Sequence, residues 1–377
     1  MSTAVVRWAE NGADRRARWR SETGAPAPKA VVVADDRMSA DAAFRLVRKG
    51  TALLWRGDFH NGRRLLHALA RRLPRATARS FQQYRREQAQ RARLLGMLLV
   101  PFDAGHVVPL RRAPDVRLAC AEVYGPSDEP YVASFRELQG LIGAHEWRRK
   151  GIEIPSAGRI HPHYGVFSPV RNEYVDLVAD APLPTAELAF DIGTGTGVLA
   201  AVLARRGIRR IVATDNDPRA LTCARENIAR LGLVDRVEVR PADLFPPGRA
   251  PLVVCNPPWI PAQPTSRLER AVYDPESRML RGFLDRLAEH LTPGGEGWLV
   301  LSDLAEHLQL RSREQLLTAF ATAGLRVVDR IDIAPAHRRT RDVGDPLHVA
   351  RAAEVTSLWR LTGRSPRPPR PAQPPAA

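Results

Sequence analysis

Cysteine is scarce in this chain. Cys120, Cys223 and Cys255 are the only three, scattered without metal-ligand spacing. Three cysteines cannot all pair, which excludes a disulfide framework and fits a reducing, cytoplasmic setting. Long apolar runs are missing too. The longest strongly apolar stretch, residues 94–100, is far too short to cross a bilayer, so no membrane partner is expected. The N-terminus carries Arg7, Glu10, Arg15 and Arg16 around no apolar core, unlike a secretory signal. Histidine and cysteine do not cluster. His161-Pro162-His163 stands alone with a proline between its histidines, so it reads as part of a hairpin turn and no metal site is expected.

Lysine is nearly absent, at three of 57 basic residues, so the positive charge is arginine. That charge is uneven. Residues 1–150 hold 28 Lys and Arg against 15 Asp and Glu, whereas the remainder holds 29 against 26. A basic N-terminal part suggests attraction to a polyanion such as RNA or DNA. A solvated helix face or an arginine-rich coding bias would produce the same count.

Residues 1–38 are polar, arginine-rich and punctuated by Gly24, Pro26 and Pro28, which predicts a flexible basic arm. Helices are expected over 39–73, interrupted near Arg56-Gly57-Asp58, and a second basic helix over 78–95. β-like pieces follow at 96–110 and 116–123. Residues 39–150 thus read as a mixed, mainly helical basic N-terminal domain with a role in substrate recognition. A second domain is expected over 151–362. It opens with a hairpin across 152–167 that turns at Pro155-Ser156-Ala157-Gly158. Candidate strands at 188–192, 210–214, 237–240, 252–255, 297–301, 327–333 and 355–361 then alternate with helices at 197–206, 218–231, 275–291 and 313–323. Ser312 and Gln315 form a capping-box start for the last helix. Such alternation predicts an α/β fold, a Rossmann-like, doubly wound sheet of seven strands. Between 244 and 251 there is room only for a turn, so one crossover should lack its helix. The proline-dominated residues 363–377 are expected to be a disordered tail.

The sharpest motif is Asp191-Ile192-Gly193-Thr194-Gly195-Thr196-Gly197, after a strand and opening a helix. Glycines let bare peptide groups turn tightly against a ligand. The spacing is G-x-G-x-G, not the G-x-G-x-x-G of nicotinamide folds, and Asp191 precedes the first glycine. A carboxylate there would repel a pyrophosphate but can meet the ammonium of a methionine moiety. Asp215 ends the next strand, where an acid can accept from both ribose hydroxyls, with Asn216 beside the base. One strand further, Asp243 is placed to accept from an adenine amino group and Leu244 to cover the ring. Either acid alone would read as a surface turn residue; on three successive strand ends they read as a nucleoside site.

The second motif, Asn256-Pro257-Pro258-Trp259, ends the fourth strand at the switch point where α/β sheets bind ligands. Two prolines remove two donors and stiffen the turn. The Asn256 side-chain oxygen and the Pro257 carbonyl can hold both hydrogens of an –NH2 group, aiming its lone pair at a methyl donor. Trp259 offers a flat face for a base or an amide plane. Neither a metal nor a strong base is required.

Together, residues 191–197, Asp215, Asp243 and 256–259 resemble the class I methyltransferases that carry an (Asn/Asp)-Pro-Pro-aromatic motif. These include adenine-N6 and guanine-N2 enzymes and the release-factor glutamine methyltransferases. Gly165-Val166-Phe167-Ser168-Pro169, Tyr273-Asp274-Pro275 and Leu291-Thr292-Pro293-Gly294-Gly295 add likeness to the small-domain group related to the glutamine enzymes. The resemblance covers roughly residues 152–362. It implies S-adenosylmethionine as methyl donor and a macromolecular acceptor. There are departures. Trp259 stands where the glutamine enzymes usually have tyrosine, and Ser168-Pro169-Val170-Arg171-Asn172-Glu173 replaces their Pro-Arg-Pro-Glu-Thr segment. Their compact helical N-terminal domain is not recognisable in residues 1–150. Two acceptors stay open, a nucleic-acid base, favoured by the basic N-terminal part, and a protein glutamine. A non-catalytic module retaining the fold would predict a decayed motif, and neither motif is decayed.

Overall fold

The computed structural model describes residues 4–74, 80–265, 268–334, 342 and 344–363. The first 150 residues build a sheet of their own. β1 (Val5–Glu10) and β2 (Ala13–Trp19) form an antiparallel hairpin running from Val5↔Arg18 to Glu10↔Ala13. Asn11 and Gly12 turn it with φ of 52° and 75°, the left-handed pair that a two-residue hairpin loop requires. The expected flexible arm is therefore largely strand; its arginines masked an Asn-Gly turn signal.

There follow β3 (Ala30–Ala34), α1 (Ala40–Arg48), β4 (Thr51–Trp55), α2 (Phe59–Arg72), α3 (Phe81–Leu95), β5 (Leu98–Phe102), α4 (Arg117–Tyr124), β6 (Tyr131–Ser134) and α5 (Phe135–Lys150). The sheet order is β1-β2-β6-β5-β4-β3. Residues 39–150 are mixed and mainly helical, as expected; what the sequence did not reveal is that their strands join β1, β2 and β3 in one six-stranded sheet. β4 is buried from Ala52 to Trp55, so both its faces are covered and it shows no period-2 alternation to distinguish it from helix. The piece at 116–123, expected to be β-like, is α4, stopped at Gly125 with φ of 70°. Ser39, Asp58, Ser80 and Ser134 cap α1, α2, α3 and α5 through their side-chain oxygens, each satisfying an amide that the helix leaves orphaned.

A short hairpin, β7 (Ile152–Ile154) with β8 (Gly158–Ile160), leads into the second sheet. After α6 (Glu173–Asp180) come β9 (Leu188–Ile192), α7 (Val198–Arg205), β10 (Arg210–Asp215), α8 (Pro218–Arg230), β11 (Val237–Pro241) and β12 (Ala250–Cys255). Then follow α9 (Arg278–His290), β13 (Leu291–Ser302), α10 (Leu304–His307), α11 (Arg313–Thr322), β14 (Leu325–Ile333), α12 (His348–Ala353) and β15 (Thr356–Gly363). The order is β11-β10-β9-β12-β13-β15-β14, parallel except where β15 runs against both neighbours. This is the doubly wound, seven-stranded, Rossmann-like sheet. β11 passes to β12 without a helix, and the Ser312–Gln315 capping box opens α11. β12 lies directly beside β9, so the two motif-bearing strand ends are neighbours. From residue 364 on, the anticipated proline-rich tail lies outside the described residues. Among the described residues no helix is long and apolar enough to cross a membrane.

Ion pairs stitch the two sheets together. Arg148 of α5 pairs with Glu226 of α8 at 3.1 Å, and His163 Nε2 meets the same carboxylate at 3.1 Å. Arg219, in the first turn of α8, reaches Glu22 at 3.1 Å and donates to the Val123 carbonyl. His161 Nδ1 lies 2.7 Å from the Arg148 carbonyl, so the His-Pro-His segment closes the seam between α5 and α8.

Candidate active site

The strand ends of β9, β10, β11 and β12 open into one cleft of about 1420 Å³. At its floor the glycine loop turns through left-handed backbone at Gly193, Gly195 and Gly197, with φ of 70°, 56° and 81°. The loop is tied to the acids around it. Thr194 Oγ1 donates to Asp191 Oδ2 at 2.6 Å, and the Ala200 amide donates to the same oxygen at 3.1 Å. Asp191 is buried, and burial pushes its carboxyl up to about 6 despite those two bonds. A buried carboxylate held by one oxygen suits a cationic ligand group.

Asp215 serves the loop from the next strand. Its Oδ2 accepts from the Gly195 amide at 3.0 Å and its Oδ1 from the Asp217 amide at 2.9 Å. Burial raises its carboxyl as well. Each oxygen keeps acceptor capacity for a ligand hydroxyl. Asn216 and Asp243 are exposed on the rim of the cleft. Leu244 adopts a left-handed φ of 71° and its carbonyl accepts from Thr214 Oγ1 at 2.6 Å. That conformation costs a side-chain-bearing residue roughly 1–2 kcal/mol; it turns Leu244 over the cleft. Gly282 of α9 leaves it room, since a Cβ there would lie 2.9 Å from Leu244 Cδ1.

Thirteen of the fourteen residues singled out from the sequence line this cleft: Asp191, Gly193, Thr194, Gly195, Thr196, Asp215, Asn216, Asp243, Leu244, Asn256, Pro257, Pro258 and Trp259. Gly197 does not. A Cβ on it would touch Ala224 of α8 at 3.4 Å, so its glycine serves the approach of α7 to α8 and its left-handed turn.

At the end of β12, Trp259 Nε1 donates to Asn256 Oδ1 at 2.8 Å. An indole N–H can only donate, so this bond fixes which end of the amide faces the ring. It also uses one of the two lone pairs that the sequence left open for an acceptor. The Trp259 ring packs in the apolar cluster of Ile260 and Leu304 and is partly buried.

Further residues line the cleft from segments distant in sequence. Tyr84, Arg85 and Gln88 come from α3 of the first sheet's unit. Arg85 grips Glu269 with both terminal nitrogens at 2.9 Å, donates to the Gln263 carbonyl at 2.8 Å, and lies 4.2 Å above the Tyr273 ring. Phe81 packs near the same ring. The basic helix read from sequence at 78–95 therefore walls the cleft and fastens the segment after the Asn-Pro-Pro-Trp turn. Arg85→Ala is expected to raise the acceptor KM about tenfold with kcat changed less than threefold, as steady-state kinetics would report. The reason is that a bidentate, part-buried pair contributes more than an exposed one. Arg171 and Glu354 also line the cleft and lie 3.5 Å apart. Glu173, by contrast, is buried in α6 away from it.

The family described as "Methyltransferase small domain" matches residues 158–325. A release factor glutamine methyltransferase of Cereibacter sphaeroides is 38% identical over 197 residues, 52% of this chain and 63% of that protein. A ribosomal protein L11 methyltransferase of Sorangium cellulosum is 37% identical over 116 residues, 31% of each chain. The chain thus spans less than two thirds of either relative. A tRNA1(Val) (adenine(37)-N6)-methyltransferase of Bacteroides thetaiotaomicron is 31% identical over 172 residues, 43% of this chain and 70% of that protein. With such a relative matched over most of its length, and the glycine loop and Asn-Pro-Pro-Trp turn meeting in one cleft, the chain belongs to the small-domain family of S-adenosylmethionine-dependent methyltransferases.

Proposed function

We propose that this enzyme transfers a methyl group to a planar amino nitrogen of a nucleic-acid base. The observation that carries the reading is the cleft wall. α3 of the basic N-terminal unit shares an apolar cluster with Trp259 through Phe81 and Tyr84; Arg85 is engaged by Glu269, and the exposed Arg86 and Arg93 on the same helix can grip phosphates near the point of transfer. A base drawn out of its stack would enter between Trp259 and this wall.

The residues fit S-adenosylmethionine. Buried Asp191 suits its ammonium, the bare backbone of Gly193 to Gly197 its methionine chain, and Asp215 its ribose. Asn216, Asp243 and Leu244 frame its adenine. The cofactor supplies an electrophilic methyl; the rest is positioning by this chain. Asn256 Oδ1, oriented by Trp259, and the Pro257 carbonyl accept from the amino group and hold its lone pair in line. Orienting two reactants in this way can lower a barrier by roughly 7–11 kcal/mol.

The buried Asp191 makes cofactor binding depend on pH. Burial pushes its carboxyl up to about 6, and the ammonium requires the ionised form. Below that value a proton must leave before binding, so affinity falls as pH drops, approaching tenfold per unit. Above it the affinity is flat. Titration calorimetry from pH 7.5 to 5 should show this bend in the wild type and none in Asp191→Asn.

The acceptor class is tested by transfer of labelled methyl into extract from cells lacking the gene. Label lost with nuclease supports the nucleic-acid reading. Label that resists nuclease but yields to protease supports the second reading, a protein glutamine, which the similarity to the Cereibacter sphaeroides enzyme favours. On that reading the N-terminal unit is a protein-docking surface.

A further inference from the structure

Glu354, two residues before β15, has an unusual environment. The Glu354 side chain is wholly buried. Its Oε1 accepts from Ser302 Oγ at 2.7 Å, and that hydroxyl in turn accepts from the Leu304 amide at 3.0 Å. One half of the carboxylate is therefore anchored to the end of β13. Among the described residues its Oε2 has no hydrogen-bond partner, and Arg171 Nη1 stands 3.5 Å away, at ion-pair distance. Buried carboxylate oxygens are almost always satisfied, and one left over in a cleft marks a place for a donor.

The location narrows what that donor is. Glu354 lines the same cleft as Asn256 and Trp259. β13 is the strand next to β12, with Cys255 opposite Leu299, so Ser302 lies just past the level of Asn256, one strand over. Leu304 packs in the apolar cluster with Trp259. The Glu354 oxygen is thus a second acceptor on the side of the cleft away from the glycine loop, beyond the amino-holding Asn256.

Planar amino groups differ in what flanks them. Adenine N6 has ring acceptors on both sides, and cytosine N4 has an acceptor at N3. A glutamine amide carries its own carbonyl oxygen. Guanine alone among these places a ring N–H, at N1, next to its N2 amino group. A carboxylate facing the first three would meet lone pairs; facing guanine it accepts a hydrogen bond.

We propose that Glu354 is a specificity-determining residue of the acceptor site, receiving the N1–H of a guanine whose N2 amino group is held at Asn256. This rests on the nucleic-acid reading above and names its base. Ser302 and Leu304 hold the carboxylate for that contact, and the Arg171 cation stands 3.5 Å from its other oxygen.

The experiment uses the full-length protein, labelled S-adenosylmethionine, and total RNA and DNA from cells lacking the gene. Products are digested to nucleosides and separated. Label in N2-methylguanosine, or its deoxy form, is the expected result. Glu354→Gln, which preserves the size of the side chain and the Ser302 bond, should then cut that labelling roughly 10- to 100-fold. Its cofactor affinity and melting temperature should stay as in the wild type. Label in N6-methyladenosine or N4-methylcytidine would overturn the guanine assignment while leaving the nucleic-acid reading standing. So would guanosine labelling that Glu354→Gln changes less than twofold. Label found only in protein would overturn both.

Discussion

Asn256→Ala is expected to lower kcat roughly 10³-fold while leaving the dissociation constant for S-adenosylmethionine within about twofold of the wild type. The separation follows from where the residue stands. Asn256 ends β12 on the acceptor side, while the loop, Asp191 and Asp215 are held by hydrogen bonds that do not involve it. Removing its amide takes away an acceptor for the amino hydrogens and leaves the Trp259 indole N–H without the partner it has at 2.8 Å. Both losses act on orientation in the transition state, so they appear in kcat more than in KM. Calorimetry of cofactor binding beside single-turnover kinetics separates the two. Full activity on the authentic acceptor would show that another group orients the amino nitrogen.

Asp215→Ala should do the reverse, weakening cofactor binding roughly 100-fold, with the residual turnover at saturating cofactor reduced far less. Two effects combine. A carboxylate placed for ribose hydroxyls contributes charge-assisted hydrogen bonds, each about twice as strong as a neutral one. The same carboxylate also holds the Gly195 and Asp217 amides, so its loss frees the glycine loop and the start of α8 together. Asp215→Asn keeps one acceptor oxygen and should recover part of the affinity. Comparing the two variants by calorimetry divides the ribose contribution from the loop's. Equal losses in both would assign the effect to charge; no loss in either would remove Asp215 from the cofactor site.

What could be read in advance follows physical lines. The parallel core was legible because β9, β10 and β12 are short apolar runs punctuated by helix starts, and the ligand-facing residues sit at their ends. β4 was not, since a strand buried on both faces has lost its alternation. The hairpin of β1 and β2 was legible in principle from Asn11-Gly12, but five arginines between Arg7 and Arg20 drew the reading toward an unstructured arm. Gly197 was taken with its loop because spacing cannot say which glycine meets a ligand and which meets a neighbouring helix. Tyr84, Gln88 and Glu354 had no local signal at all. Each reaches the cleft through tertiary contacts made by segments far away in sequence, and a basic helix or an acid before a strand looks the same wherever it lands.

The bidentate pair of Arg85 and Glu269 has a consequence for how such an enzyme can change. The two residues lie 184 positions apart and belong to units built on different sheets, yet they close one wall. A change in either alone leaves a part-buried charge without its partner and loosens the wall. Cut away from the first sheet's unit, the second would therefore keep its glycine loop and its Asn-Pro-Pro-Trp turn but lose one side of the cleft they share.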